Sequence, residues 1–360
     1  MFVIGCPGAL VISIPVAIVA GIGRSARNGI LIKGGEYLET SAKISAVAVD
    51  KTGTLTEGRP VLTDIVVLNP EADRREVLRW AAAAEAGSEH PLARPILDTA
   101  REEGVAPEGL PGSVTPVVGK GIVADAHGKR VLIGNVPLLE QYGIVNDAGA
   151  AVAANKLAAA GKTPMIVAVD ESVLGVIGVA DTIREDAPEM IRRLHASGVQ
   201  KVVMLTGDTR LVAEAIGEAV GIDEIHASLL PEDKLDAVAR LQREGHTVAM
   251  VGDGVNDAPA LATADIGVAM GAAGSAVAVE TADIALMGDN LLKLPEAISL
   301  AKRTVNVMRQ NIWIALITVV VLLVGVFAGG VTMAIGMLVH EGSVLIVILN
   351  AMRLLRNTQG

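Results

Sequence analysis

The chain has 360 residues, 51 % of them hydrophobic and only 2 % aromatic, with 30 Lys and Arg set against 40 Asp and Glu. The formal charge of −10 excludes the basic footprint that nucleic-acid binding needs, and the apolar share excludes a disordered chain. One cysteine, Cys6, excludes a disulfide framework and any multi-cysteine metal centre.

Residues 2–22 form an uncharged apolar run followed at once by Arg24, Arg27, Lys33 and Lys43. A secretory leader carries its positive charge before the apolar stretch, so this order predicts a transmembrane helix. Two further apolar runs, 312–328 and 331–349, are joined by Gly329-Gly330 and flanked by Lys302, Arg303 and Arg309 on one side and Arg353 and Arg356 on the other. Each approaches the roughly 20 residues that a bilayer core requires. The positive-inside rule puts the middle region and the C-terminus in the cytoplasm, with the last two helices as a hairpin in the cell membrane.

Between these runs, strands are followed by acidic turns and then helices. Residues 44–49 end at Asp50, residues 201–205 at Thr206-Gly207-Asp208, and residues 247–251 at Gly252-Asp253-Gly254. Helical stretches at 185–196, 210–220 and 232–243 fall between them, which is the doubly wound α/β pattern, with ligands expected beyond the carboxyl ends of the strands. Residues 61–173 interrupt it with helices and short Gly-rich strands of their own and read as an inserted domain. The predicted division is a membrane helix at 1–23, an α/β domain at 24–60 and 174–300, the insertion at 61–173, and a membrane hairpin with tail at 301–360.

Asp50 at a strand end is exposed to a ligand and able to attack phosphorus, but a carboxylate is a weak nucleophile and needs a cation beside it. Asp253 and Asp257, four residues apart on a Gly-rich turn, are hard oxygen ligands suited to Mg²⁺. Thr206-Gly207-Asp208 offers a hydroxyl and backbone N–H groups to phosphate oxygens, and Lys234 offers a point charge. Taken singly, each acidic turn is equally well read as a helix N-cap.

Together, Asp50-Lys51-Thr52-Gly53-Thr54-Leu55-Thr56, the Thr206-Gly207-Asp208 turn and the run from Gly252-Asp253-Gly254-Val255-Asn256-Asp257 to Leu261 resemble the P-type ATPases, cation pumps of the haloacid-dehalogenase-like superfamily. The resemblance implies a haloacid-dehalogenase-like doubly wound phosphorylation domain with an inserted α+β nucleotide-binding domain and three transmembrane helices. It implies that ATP phosphorylates Asp50, that Asp50, the Thr52 carbonyl and Asp253 hold Mg²⁺, and that Lys51, Thr54, Thr206, Gly207, Asp208, Lys234 and Asp257 complete the phosphate site.

Glu85-Ala86-Gly87-Ser88-Glu89-His90-Pro91, followed by Gly119-Lys120-Gly121 and Gly134-Asn135, resembles the nucleotide-binding domain of the heavy-metal class of these pumps. That match assigns Glu85, His90, Gly119, Gly121, Gly134 and Asn135 to the adenosine of ATP. Cys6-Pro7-Gly8 in the first membrane run resembles the Cys-Pro-Cys transport site of that class, with Gly8 in place of the second cysteine. His340-Glu341-Gly342-Ser343 lies inside the third run, where a charged side chain costs about 2.5–3.5 kcal/mol and is functional by default. One thiolate with His340 and Glu341 is a mixed donor set that suits Zn²⁺, Cd²⁺ or Co²⁺ better than Cu⁺.

The expected activity is therefore ATP-driven export of a heavy-metal cation through an aspartyl phosphate. The Thr-Gly-Glu-Ser actuator motif does not occur in these residues, so a partner segment or chain carrying the actuator domain is expected beside ATP, the metal ion and membrane lipid. Two alternatives stay open: a membrane-anchored phosphohydrolase of the same superfamily, and a remnant that does not transport.

Overall fold

A computed structural model describes residues 8–88, 90, 92–144, 148–252, 257–271 and 280–356. The chain divides into two compact units, one of Met1–Asp50, Asp186–Val203 and Pro231–Gly360, the other of Lys51–Glu185 and Met204–Leu230.

In chain order, the first unit opens with α1 (Gly8–Arg27), β1 (Ile30–Ile32), α2 (Gly35–Ser41) and β2 (Ala46–Asp50). The second unit then contributes β3 (Val61–Val67), α3 (Arg74–Glu85), α4 (Ala93–Glu102), β4 (Ser113–Val117), β5 (Gly121–Ala126), β6 (Lys129–Gly134), α5 (Val136–Gln141), α6 (Ala148–Ala159), β7 (Thr163–Val169) and β8 (Ser172–Ala180). Next come α7 (Ala187–Ala196), β9 (Lys201–Leu205), α8 (Arg210–Val220), β10 (Glu224–His226), α9 (Pro231–Arg243), β11 (Val248–Gly252), α10 (Ala258–Thr263), β12 (Ile266–Met270) and β13 (Ile284–Leu286). The described chain ends with α11 (Lys293–Phe327) and α12 (Met333–Met352).

In the first unit the strands lie in the order β1-β13-β12-β11-β2-β9. β2, β11, β12 and β13 run parallel, with Val251 beside Val49 and Gly252 beside Ala269, while β1 is antiparallel to β13. β2, β11 and β12 are buried at every position, which is why their sequences read as unbroken apolar runs rather than alternating ones. The parallel register of β2 and β11 brings Asp50 and the turn after Gly252 to the same end of the sheet.

α1, α11 and α12 are each long and apolar enough to cross a membrane. They meet through small and medium side chains, with Ala17 and Ala20 against Met308 and Ala351, and Ala9 against Ala315 and Val347. Small residues at such contacts let helix backbones approach closely, because lipid offers no hydrophobic drive to association. The second apolar run was expected to start a helix at 312, whereas α11 is one helix of 35 residues beginning at Lys293. No glycine or proline stands between Pro295 and Gly325 to stop it, so the cytosolic and membrane portions propagate as one rod.

In the second unit the sheet order is β3-β8-β7-β6-β5-β4, antiparallel throughout. Successive residues of a strand face opposite sides, so Ile133, Val167 and Ile177 pack under α3 and α4 while Leu132, Ile166 and Val176 pack under α5 and α6. β8 runs through the boundary read at residue 173, because the whole strand to Ala180 is paired with β3.

Candidate functional site

The first unit gathers three buried charges at the carboxyl end of its sheet. Lys234 Nζ stands 2.6 Å from Asp50 Oδ1 and 2.7 Å from Asp257 Oδ1. The three residues are 9 %, 7 % and 1 % exposed. Asp257 occupies the N-cap position of α10, yet its side chain makes no capping hydrogen bond there and turns to Lys234 instead. The N-cap reading of that turn therefore fails, and the reason is electrostatic: a buried ammonium between two carboxylates outweighs one amide contact. Gly252 is required beneath it, since a Cβ there would meet Asp257 Oδ2 at 2.6 Å.

Burial alone pulls the Lys234 ammonium down, but the Asp50 and Asp257 charges and their hydrogen bonds reverse this and hold it above the ordinary lysine value. Two buried carboxylates converge on one ammonium in this cluster, and hard oxygen donors of this kind fit Mg²⁺. Asp253, the further ligand expected for that ion, lies outside the described residues.

In the second unit, Lys51-Thr52-Gly53-Thr54-Leu55 forms a kinked turn with Thr52 extended at φ −76°, ψ 129° and Gly53 at φ 71°. Only glycine adopts that conformation freely. Lys51 Nζ pairs with Asp208 Oδ2 at 2.6 Å. The Thr206 N–H donates to the His226 carbonyl, and the Thr206 hydroxyl accepts from the Asp208 N–H at 3.1 Å. These bonds use two of the amides expected for phosphate and leave the Thr206 hydroxyl proton and the Gly207 N–H as the donors of that turn. Thr54 Oγ1 is fully buried without a hydrogen-bond partner among the described residues. A buried hydroxyl in that state is the mark of a site built for a polar ligand.

Two residues that sequence reasoning did not single out hold this turn. The Asp181 carboxylate accepts from the Thr56 hydroxyl at 2.5 Å and from the Gly58 and Arg59 amides at 3.1 and 3.0 Å. Arg184 Nε donates to the Thr56 carbonyl at 3.2 Å. Neither residue lies in a recognisable motif, and 125 positions separate Asp181 from Thr56, so no local signal announces the pairing.

All six predicted nucleotide residues line one cavity of about 660 Å³ in the second unit. That volume suits a nucleoside. Val117, Ile122, Met165 and Leu92 supply apolar wall, and Thr209, which sequence reasoning missed, lines it as well. Glu85 is 3 % exposed and its Oε2 has no hydrogen-bond partner among the described residues. Burial raises its pKa, only partly offset by a hydrogen bond from Ser88. Desolvation lowers the His90 pKa, and His90 Nδ1 accepts from the Leu92 N–H at 3.2 Å, both of which favour the neutral ring.

The glycines also set how closely the backbone packs at the cavity wall. Gly121 and Gly134 pair across β5 and β6, and a Cβ on Gly121 would stand 2.0 Å from the Ile133 carbonyl, one on Gly134 2.1 Å from that of Lys120. They allow two strands to approach each other at the cavity, and Gly119 turns the chain at φ 72°. Asn135 Nδ2 donates to the Gly119 carbonyl while Oδ1 accepts from the Leu138 N–H, so this side chain ties the glycine turn to α5.

Glu85→Gln separates stability from binding. A carboxyl whose pKa is raised by folding binds more protons folded than unfolded above the ordinary glutamate value, so the stability of the folded state falls as pH rises through that window. We expect Glu85→Gln to raise the thermal unfolding midpoint at pH 7 and to give no gain near pH 4, while ATP affinity drops about tenfold, as for loss of one hydrogen bond to a charged or polarised partner. Unchanged ATP affinity in a titration would remove Glu85 from the site.

In the membrane unit, the His340 imidazole lies against Gly8: a Cβ at position 8 would stand 2.9 Å from His340 Nε2. The ring occupies the space that a side chain at position 8 would need. Glu341, the next residue of α12, is exposed, and His340 is half-buried. Cys6 lies outside the described residues. We expect Gly8→Cys to impair metal-dependent activity at least tenfold by displacing His340, and Gly8→Cys with His340→Ala to recover part of the fold stability but not the divalent response; equal activity of Gly8→Cys and the parent would show that His340 need not sit there.

Residues 44–265 match the haloacid dehalogenase-like hydrolase family. The chain is 44 % identical over 362 residues to a probable cadmium-transporting ATPase of Staphylococcus aureus, covering 99 % of this chain and 49 % of that protein. It is 41 % identical over 363 residues to a manganese-exporting P-type ATPase of Mycobacterium bovis, again covering 99 % and 49 %. The crystal structure of a zinc-transporting PIB-type ATPase in its E2.Pi state superposes with a TM-score of 0.76 at 44 % identity, covering 98 % of this chain and 57 % of that one. The chain thus spans about half the length of the curated relatives it matches.

Proposed function

The chain belongs to the haloacid dehalogenase-like hydrolases, and from that premise we propose that it is the catalytic portion of a P-type ATPase that exports a heavy-metal divalent cation of the Zn²⁺, Cd²⁺ or Co²⁺ kind. The observation that carries this reading is the Asp50–Lys234–Asp257 cluster at the strand end, a carboxylate held ready by an ammonium beside a second acid.

In this reading one Asp50 carboxylate oxygen attacks the γ-phosphorus of ATP in line with the departing ADP oxygen. The new bond is an acyl phosphate and the bond that breaks is the one between the β-γ bridging oxygen and the γ-phosphorus. Lys234 moves from carboxylate to phosphate oxygen, keeping its charge at the transferred group. The Thr206 hydroxyl, the Gly207 N–H and the Thr54 hydroxyl are the donors left to stabilise phosphate oxygens. Lys51 is held by Asp208 and adds positive charge. Asp50, the Thr52 carbonyl and Asp253 would hold Mg²⁺, which would supply charge shielding between the carboxylate and the phosphate oxygens. Glu85 and neutral His90 recognise the base, with Gly119, Gly121, Gly134 and Asn135 shaping the cavity. Cys6, His340 and Glu341 are the proposed ligands of the transported ion. A partner region bearing an actuator domain would be needed to hydrolyse the phosphoenzyme.

The cavity of nucleoside size lined by Glu85 and His90 favours this over an anchored phosphohydrolase, which needs no adenosine pocket. The test is incubation with γ-labelled ATP and Mg²⁺. Label that survives acid and is released by hydroxylamine is expected; label resistant to hydroxylamine would exclude an acyl phosphate.

A further inference from the structure

The first unit contains a basic groove where α11 and α12 emerge from their apolar stretches. It is a cavity of about 370 Å³ lined by Arg303, Arg353 and Arg356 together with Asn306 and Gln310, with no carboxylate side chain among its described lining residues. An adjoining cavity shares Asn306 and Gln310 and adds Arg309, Asn350 and Trp313. The phosphoryl chemistry above uses none of these residues.

The groove is organised rather than a loose patch of charge. Arg353 Nη1 donates to Asn350 Oδ1 at 3.0 Å, and Asn350 Nδ2 donates to Asn311 Oδ1 at 2.9 Å and to Gln310 Oε1 at 3.2 Å. Asn311 is fully buried and its Nδ2 reaches the Ser13 carbonyl of α1 at 3.3 Å. The arginine at the mouth is thereby tied to all three membrane helices. Guanidinium groups present planar forks that match phosphate oxygens two at a time.

Depth identifies the source of the phosphate. The uncharged run of α11 starts at Ile312, one residue after Asn311, and α12 ends at Met352, one residue before Arg353. The groove is therefore level with the lipid headgroups. Trp313 is 65 % exposed there, and a tryptophan at that level sits with its ring at the glycerol region and its N–H toward water. Ile317 and Val320 continue the same helix as exposed apolar side chains. We propose that Arg303, Arg353 and Arg356, with Trp313 beside them, form a binding site for the phosphate headgroup of an anionic phospholipid in the cytosolic leaflet.

Trp313 makes the site directly readable, because the chain has only two tryptophans and Trp80 lies in the other unit. The full chain carrying Trp80→Phe is reconstituted in vesicles that contain brominated phosphatidylglycerol or brominated phosphatidylcholine, and quenching of Trp313 gives the relative association constant of the two lipids. One arginine near the surface is worth about fivefold for an anionic lipid, so a preference of about tenfold or more is expected. Arg353→Gln and Arg356→Gln should each lose about fivefold, and the triple variant with Arg303→Gln as well should show no preference. Arg27→Gln with Lys43→Gln removes the same charge from exposed positions of the same unit and should keep the preference. Arg353→Lys with Arg356→Lys should lose at least half of it. Equal quenching by the two lipids in the parent, a preference that survives in the triple glutamine variant, or equal losses in the Arg27, Lys43 control would overturn the site. Soluble glycerol 3-phosphate at millimolar concentration should leave the preference unchanged; if it abolishes the preference, the groove takes free phosphate and the lipid assignment is wrong.

Discussion

Asp50→Asn will take up no label from γ-labelled ATP, while its fold survives. The asparagine side chain keeps a carbonyl oxygen where Asp50 Oδ1 accepts from Lys234 at 2.6 Å, so the buried ammonium keeps one neutral acceptor and its ion pair with Asp257. The stability loss should therefore stay at about 1–3 kcal/mol, the range for weakening one buried polar contact. Chemistry has no such substitute, because an amide oxygen is not a nucleophile toward phosphorus and no acyl phosphate can form. Loss of label is thus limited only by the detection floor, whereas ATP should still bind in the cavity of the other unit with unchanged affinity. Label in Asp50→Asn, measured after acid quench on folded protein, would exclude Asp50 as the phosphorylated residue.

Lys234→Met should be the most destabilising single change in the phosphorylation machinery. It removes the ammonium that bonds both Asp50 Oδ1 and Asp257 Oδ1, so each of these buried carboxylates loses that ion pair. Breaking a buried pair from one side costs about 3–5 kcal/mol. The pH dependence gives the sign. A lysine whose pKa is raised by folding contributes its stabilisation in full below the unfolded value of about 10.4, and that contribution is lost as pH rises through the folded value. The difference between parent and Lys234→Met should therefore be large at pH 7.5 and shrink above pH 10.5. Lys234→Arg should recover stability without recovering phosphorylation, since a guanidinium keeps the charge but not the compact tetrahedral ammonium. A pH-independent difference in denaturation midpoints would mean that Lys234 acts by packing alone.

The sequence by itself determined the class of fold and the identity of the chemistry. Buried parallel strands must be apolar at every position, so 201–205 was legible as the strand Lys201–Leu205, and the acidic turn that follows each strand was legible because a strand end is where such sheets bind ligands. Membrane helices were legible for the same kind of reason: lipid demands an uninterrupted apolar run with basic flanks on one side. Residue types that carry phosphate and adenine chemistry survive as short strings, so Asp50, Lys234, Glu85 and His90 could be picked out without a coordinate.

Only the tertiary structure decided what each of those side chains touches. Asp257 was equally good as a helix cap until the fold brought Lys234, 23 residues earlier, to 2.7 Å from it. Gly121 and Gly134 were legible only as members of an ordered set, and the structure pairs them across β5 and β6 where neither has room for a Cβ, because strand pairing depends on register and not on composition. The Asp181 clamp on Thr56 and the meeting of His340 with Gly8 join residues more than a hundred positions apart. Local patterns report which surface a residue prefers, apolar or wet, helical or extended; pairings between distant segments are set by how all the buried surfaces close at once, and that is decided only when the whole chain packs.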